Sequence, residues 1–339
     1  DPELVRELWP TLSRLMQWFL NRRTPRGLVL AREWEVWDNP LRYQVCEGAG
    51  LNAMVYRALI DAAWLGARIG ATSAGPFASD AARLQADFNA LLWNSQEGSY
   101  YAGLFGPGSK TAEQLNGKMF TGPFVHGHYR PTAQAALFAL FAGIVPADRL
   151  LPVRNWILAH LDQVKGPMSH YYLFHALYRM EEINYDSQVL DRMRSGWKAQ
   201  VDSPWQTTWE DLIDGGGSKV HMYGVTPGSF LTTHVLGVRR IGSVSDRVIL
   251  IEPRCADLTW AKGTAITEFG PVKMSWSKST GGATSIECST PAETRTTLRL
   301  YKRAGQEIIT VDDQEIKAAT KGAFIEIALP PGKLSVLYS

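Results

Sequence analysis

Residues 51–70 read LNAMVYRALIDAAWLGARIG. Leu51, Met54, Val55, Ala58, Leu59, Ala62, Leu65 and Ile69 fall on one face at helical spacing, and Gly70 is the kind of residue that ends such a helix. This reading decides the first part of the fold because the pattern recurs. Upstream, Leu4, Leu8, Leu12, Leu15 and Phe19 predict a helix over 3–20, with Pro10 expected to kink or restart it. Downstream, helices are expected over 77–93, from Pro131 with Leu137, Leu140, Phe141 and Ile144 inward, and near 148–162. Three more follow: one capped by Ser169 with Leu173, Leu177 and Met180 inward, one over 185–199, and one over 226–238. Eight helices joined alternately by short turns and long loops describe a toroid of helical hairpins. Such a toroid gathers its long loops at one rim.

The pattern changes near residue 245. Val272, Met274 and Trp276 alternate with Lys273 and Ser275, Ile325 and Ile327 flank Glu326, and Leu334, Val336 and Tyr338 alternate to the end. Period-two alternation of this kind predicts seven or eight short strands in an antiparallel β-sandwich. Turns are expected at Gly281-Gly282, at Gly305 and at 330–332. The expected domains are therefore a helical domain over 1–244 and a sandwich over 245–339.

Length, charge and cysteine content narrow the class. The chain has 339 residues, enough for two domains with a sizeable core, and a net charge of +2, which gives no argument for nucleic acid or membrane as partner. No apolar run is long enough to span a bilayer, and no secretory signal opens the sequence, so a cytoplasmic location is expected unless the N-terminus has been removed. Cys46, Cys255 and Cys288 form no disulfide framework; Cys255 and Cys288 lie close enough in sequence to pair, but free thiols are the expectation.

Residues 204–237, PWQTTWEDLIDGGGSKVHMYGVTPGSFLTTHVLG, concentrate the candidate chemistry. Glu210 follows two threonines and Trp209, and the glycine run 215–217 leads to His221 and Tyr223. Aromatic faces stack on the C–H surfaces of sugars, and a carboxylate can accept hydroxyls or activate water. A second dense cluster, LVLAREWEVWDNPLRYQVCEG over 28–48, holds Glu33, Glu35, Trp37, Asp38 and Arg42 and reads as a binding loop. The long aromatic stretch 94–130 adds His128 and Arg130. His126 and His128 have the spacing of two metal ligands on a strand, but no acid or cysteine stands beside them, so no metal is expected. The glycine run lacks the lysine-serine or lysine-threonine of a phosphate loop, and no other cofactor motif is recognisable.

Several of these pieces, in order, resemble the α-L-rhamnosidases of glycoside hydrolase family 78. They are TAQAALFALFAGIVP (132–146), TTWEDLID (207–214), SKVHMYGVTPGSFLTTHVLGV (218–238) and LTWAKGTAITEFGPVKMSW (258–276), with the openings at 1–20 and 51–70 similar as well. The resemblance implies an (α/α)6 barrel followed by a β-sandwich, and inverting hydrolysis of terminal α-L-rhamnosides. It places the general base on Glu210, a sugar contact on His221 and, on weaker grounds, further contacts on Trp37 and Asp38. Trp209, Tyr223, His128 and Arg130 complete the expected sugar-binding set. The family's general-acid motif of aspartate, glutamate and arginine has no counterpart here. The acid is then expected from Glu33, Glu35 or Asp38, or from a segment preceding this chain, and a homo-oligomer or such a segment is expected to complete the barrel. Two alternatives stand beside this reading. One is a carbohydrate-binding or assembly protein without hydrolysis. The other is a hydrolase of uronic-acid glycosides, with Arg42 or Arg130 meeting the substrate carboxylate.

Overall fold

The computed structural model describes residues 1–32, 45–105, 127–179, 184–213, 217–302 and 308–338. By its contacts the chain divides into two compact units, Asp1–Lys165 and Gly166–Ser339.

Among its described residues the first unit contains five α-helices: α1 (Pro2–Leu20), α2 (Ala49–Arg68), α3 (Gly75–Leu91), α4 (Ala133–Ala142) and α5 (Ala147–Ala159). Asp1 caps α1, its carboxylate accepting from the amides of Glu3 and Leu4 at 2.9 and 3.3 Å. Pro10 lies inside α1, which runs on through it instead of restarting. The buried residues of α1 are Trp9 and Met16, whereas Leu4, Leu8, Leu15 and Trp18 are exposed. The leucines whose spacing predicts this helix thus lie largely on its exposed side within the chain. α4 is apolar on all sides and buried nearly throughout. Thr132 caps it by accepting from the Ala135 amide, and Gly143 closes it with φ at +76°. Pro131 belongs to the strand before it, not to the helix start.

Four short antiparallel strands accompany these helices among the described residues: β1 (Cys46–Gly48), β2 (Trp93–Asn94), β3 (Ser99–Phe105) and β4 (His128–Pro131). β3 is the hub and pairs with each of the other three. Asn52, fully buried on α2, fastens the preceding chain to the helix. Its Oδ1 accepts from the Val29 amide at 2.7 Å, and its Nδ2 donates to the carbonyls of Val29 and Gly48 at 3.0 and 2.9 Å.

The second unit opens with α6 (Pro167–Tyr178) and α7 (Asp186–Val201), and later α8 (Thr226–Phe230) continues as a π-turn over Leu231–Val235. Gly166 and Pro167 start α6, so Ser169 lies inside the helix instead of capping it. Eleven strands follow among the described residues: β5 (Val238–Ile241), β6 (Val248–Ile251), β7 (Trp260–Thr267), β8 (Gly270–Lys278), β9 (Thr284–Thr290), β10 (Arg295–Tyr301), β11 (Ile309–Val311), β12 (Gln314–Glu315), β13 (Ala319–Lys321), β14 (Phe324–Leu329) and β15 (Gly332–Tyr338). They form a five-stranded sheet in the order β13-β14-β10-β6-β5 and a six-stranded sheet in the order β12-β11-β15-β9-β8-β7. Val272, Met274, Trp276, Leu334, Val336 and Tyr338 are buried as the alternation requires. Among the described residues every pairing is antiparallel except one, since β6 runs parallel to β10. Gly282 and Gly332 take the positive φ of the expected turns, while Gly305 lies outside the described residues. All three cysteines are free thiols, and burial pushes Cys288 up to about 11.

Glu252, 2% exposed, anchors a buried ionic cluster here. Its carboxylate meets Arg239 at 2.9 Å, Arg254 at 3.0 Å and Arg299 at 3.3 Å. Arg254 also lies 3.7 Å from the buried Asp186, whose carboxyl is pushed up by that burial.

Candidate functional site

α7 buries Val189, Leu190, Met193, Trp197 and Gln200 at helical spacing. Its last turns form a seat for the segment that follows. Trp197 donates its indole N–H to the Gly224 carbonyl at 2.7 Å. Gln200 takes the Trp209 amide on its Oε1 at 3.0 Å and donates from Nε2 to the Asp211 carbonyl at 3.3 Å. The Cβ-less flank of Gly196 lies against Leu212, where an added methyl would sit 3.3 Å from Cδ1.

The segment itself runs as two limbs, 207–211 and 217–224, joined by hydrogen bonds. The His221 amide donates to the Thr208 carbonyl at 2.8 Å, and the Thr208 hydroxyl returns to the His221 carbonyl at 3.0 Å. The Glu210 amide donates to the Ser218 carbonyl at 2.9 Å, and the Ser218 amide donates to Glu210 Oε2 at 3.2 Å. On the first limb Trp209 is 3% exposed, whereas its neighbour Glu210 is exposed. The second limb starts close against the acids: a methyl on Gly217 would lie 2.6 Å from Asp211 Oδ2 and 3.3 Å from Glu210 Cβ. A methyl on Gly224 would lie 2.6 Å from the Trp209 nitrogen, so only glycine fits between the limbs there.

Each candidate residue of this unit can now be placed. Glu210 stands exposed on a limb fixed along both edges, by Gln200 on one and Ser218 on the other. Trp209 is buried, and the Lys219 ammonium lies 3.8 Å over its ring, so the indole supports the limb from behind. The Tyr223 amide donates to His221 Nδ1 at 3.2 Å, and the two rings lie 4.4 Å apart. With Nδ1 accepting, the neutral His221 ring carries its proton on Nε2 as a donor. A pocket of about 170 Å³ elsewhere in the unit, at Asp186, Cys255, Lys278 and Tyr301, includes none of these residues.

In the first unit, His128 is half-buried on β4, with Nε2 3.0 Å from the Leu91 carbonyl and the ring 4.2 Å from that of Tyr101. It is tied into that unit's own structure, while Arg130 is exposed on the same strand. Glu33, Glu35, Trp37, Asp38, Arg42 and His126 lie outside the described residues. Among the described residues no group of acids, histidines and cysteines is arranged to hold a metal ion. The other histidines have local partners, as with His170: Nδ1 lies 2.8 Å from the Gly166 carbonyl and Nε2 accepts from Arg192 at 2.9 Å. Sequence reasoning missed Trp197 and Gln200. The available signal was one polar side chain, Gln200, continuing the buried face of an otherwise apolar helix stripe.

Comparison with known proteins agrees with this architecture. Residues 240–315 match the family model described as the bacterial alpha-L-rhamnosidase C-terminal domain. No curated protein matches the chain by sequence. Among solved structures, the alpha-L-rhamnosidase from Dictyoglumus thermophilum aligns with a TM-score of 0.77 and 17% identity, over 100% of this chain and 38% of that one. The Streptomyces avermitilis alpha-L-rhamnosidase complexed with L-rhamnose gives 0.73 and 17%, over 100% and 31%. The family 78 rhamnosidase of Bacillus sp. GL1 gives 0.66 and 22%, over 83% and 29%. The resemblance read from the sequence is thus met by the C-terminal family match and by the fold, and the chain spans 29–38% of the length of these three structures. Among the described residues no helix is long and apolar enough to cross a membrane.

Proposed function

We propose that this chain forms part of a glycoside hydrolase that removes terminal α-L-rhamnose with inversion, and that Glu210 is its general base. The observation that carries the reading is the exposed carboxylate of Glu210, held on a limb whose backbone is fixed along both edges and whose Oε2 accepts the Ser218 amide. A base must hold its orientation while its oxygen takes a proton, and a limb fixed in this way supplies that. In the proposed reaction Glu210 takes one proton from a water molecule. The water oxygen forms a bond to the sugar's anomeric carbon as the bond to the aglycone oxygen breaks. That oxygen leaves with a proton from a carboxylic acid on the opposite face. Inversion sets the two carboxyl groups roughly 6.5–9.5 Å apart, which leaves room for the water. Glu35 and Asp38 are the proposed acids within this chain, with Glu33 beside them. His221, donating from Nε2, and Tyr223 are proposed to meet sugar hydroxyls, together with Trp37, His128 and Arg130.

The test is hydrolysis of a panel of aryl glycosides by the 339-residue chain, with and without Glu210→Gln. The α-L-rhamnoside is the expected substrate, and the substitution is expected to reduce turnover on the order of 10²–10⁴-fold with folding intact. Unchanged turnover would remove Glu210 from the chemistry. Preference for a uronoside would favour the uronic-acid reading, and binding without hydrolysis would favour a sugar-binding protein.

A further inference from the structure

We propose that Gln200 is a positioning residue that acts through Glu210; this rests on Glu210 being the base. Gln200 is 4% exposed and sits in the last turn of α7. Its two hydrogen bonds, 3.0 Å from the Trp209 amide and 3.3 Å to the Asp211 carbonyl, bracket a span of three residues with Glu210 at the centre. The side-chain amide does for this edge of the limb what a neighbouring strand would do. The other edge is occupied by Ser218, whose carbonyl takes the Glu210 amide.

The chemistry requires an amide of this length. One end must accept from a backbone N–H and the other must donate to a backbone carbonyl, and glutamine does both at once. An ionised glutamate only accepts, so it would set a carboxylate oxygen against the Asp211 carbonyl. An alanine would leave both backbone groups of the limb without their partner. Trp197 lies three residues earlier on the same face and holds Gly224 on the second limb, so one helix end fixes both limbs. If the span shifts, the carboxylate shifts with it, and a displacement near 1 Å is enough to cost about 10²-fold in rate.

A purely structural role and a positioning role differ in how Gln200→Ala combines with Glu210→Gln. The full chain is assayed on an aryl α-L-rhamnoside as wild type, as each single variant and as the double variant, with kcat and KM measured separately. Gln200→Ala is expected to lower kcat by about 10²-fold, and to change the rate of the Glu210→Gln variant by no more than about twofold, because the group it positions is already gone. Gln200→Glu serves if the alanine variant does not fold. When protonated it presents an O–H to Asp211 and an acceptor to Trp209, so its turnover relative to wild type should fall as pH rises. Wild-type kcat in Gln200→Ala, losses that multiply fully in the double variant, or a Gln200→Glu rate that tracks wild type at every pH would overturn the proposal. If Glu210→Gln instead keeps wild-type turnover, the base assignment fails on its own account. A wild-type chain with no turnover overturns both.

Discussion

Neutralising Glu252 should destabilise the second unit more than any change to a surface pair. The carboxylate is 3% exposed as a side chain and serves three guanidinium groups, at 2.9, 3.0 and 3.3 Å. In Glu252→Gln the shape is kept and one acceptor oxygen remains, but the charge is lost. Arg239, at 24% side-chain exposure, can turn towards water, whereas Arg254, at 2%, cannot. Arg254 would keep its hydrogen bond to the Tyr178 carbonyl at 3.1 Å, but the carboxylate of Asp186 lies 3.7 Å away, outside hydrogen-bonding distance. Breaking a buried pair by removing one partner costs about 3–5 kcal/mol, and the retained amide oxygen argues for the lower end. For a unit of this size about 3 kcal/mol corresponds to a melting shift of roughly 6–12 °C. The control is Glu326→Gln. That side chain is 21% exposed and shares Arg299 with Glu252, and its loss should cost under about 1 kcal/mol. Thermal melting followed by circular dichroism gives both numbers. The reasoning fails if Glu252→Gln melts within about 2 °C of wild type, or if Glu326→Gln costs as much.

Three further outcomes follow from the geometry. Asn52→Ala removes all three hydrogen bonds that fasten Val29 and Gly48 to α2, and thermal melting should report a loss of roughly 2–4 kcal/mol. Gly224→Ala brings a methyl against the Trp209 backbone, so it should lower both turnover and melting temperature, whereas Gly143→Asn, in the left-handed cap of α4 with open space around it, should melt within a few degrees of wild type. Burial brings His170 down from 6.5 to about 4. The unfolded chain therefore binds a proton that the folded one refuses, and stability is full above pH 6.5 and declines as pH falls towards 4. That one group contributes about 1.4 kcal/mol per pH unit in this window, and His170→Gln should flatten that part of a denaturation-versus-pH curve.

The helices were legible because their periodicity is local. The expected spans for α2, α3 and α7 differ from the observed ones by two residues at most at either end. The inward face of α1 was not legible, since leucines and a Trp9–Met16 pair offer two competing stripes and only the neighbouring helix chooses between them. β1, β2 and β4 escaped notice because strands of two to four residues are too short for alternation to register, and β3 because it is buried on both faces, so its sequence does not alternate. At the site, the acid, the aromatics and the glycines around Glu210 stood out by composition. The pairing of Thr208 with His221 did not, and neither did the grip of Gln200 on Trp209 and Asp211. Such contacts join residues separated by a turn or a helix end, and nothing in their own sequence surroundings marks them.

The parallel pairing of β6 with β10 bears on how the second unit is assembled. β5 and β6 can form a hairpin as soon as both are made. The free edge of β6 must then wait while β7, β8 and β9 build the other sheet, because its partner β10 comes only after them. During synthesis that edge presents unpaired backbone groups on the apolar run Val248 to Ile251. Closing so distant a pair is slow, and a chain that unfolds and refolds repeatedly exposes the same edge each time. Aggregation of this protein under refolding conditions is therefore expected to begin at β6, and a charged residue in place of Val248, the half-exposed first residue of that strand, should suppress it.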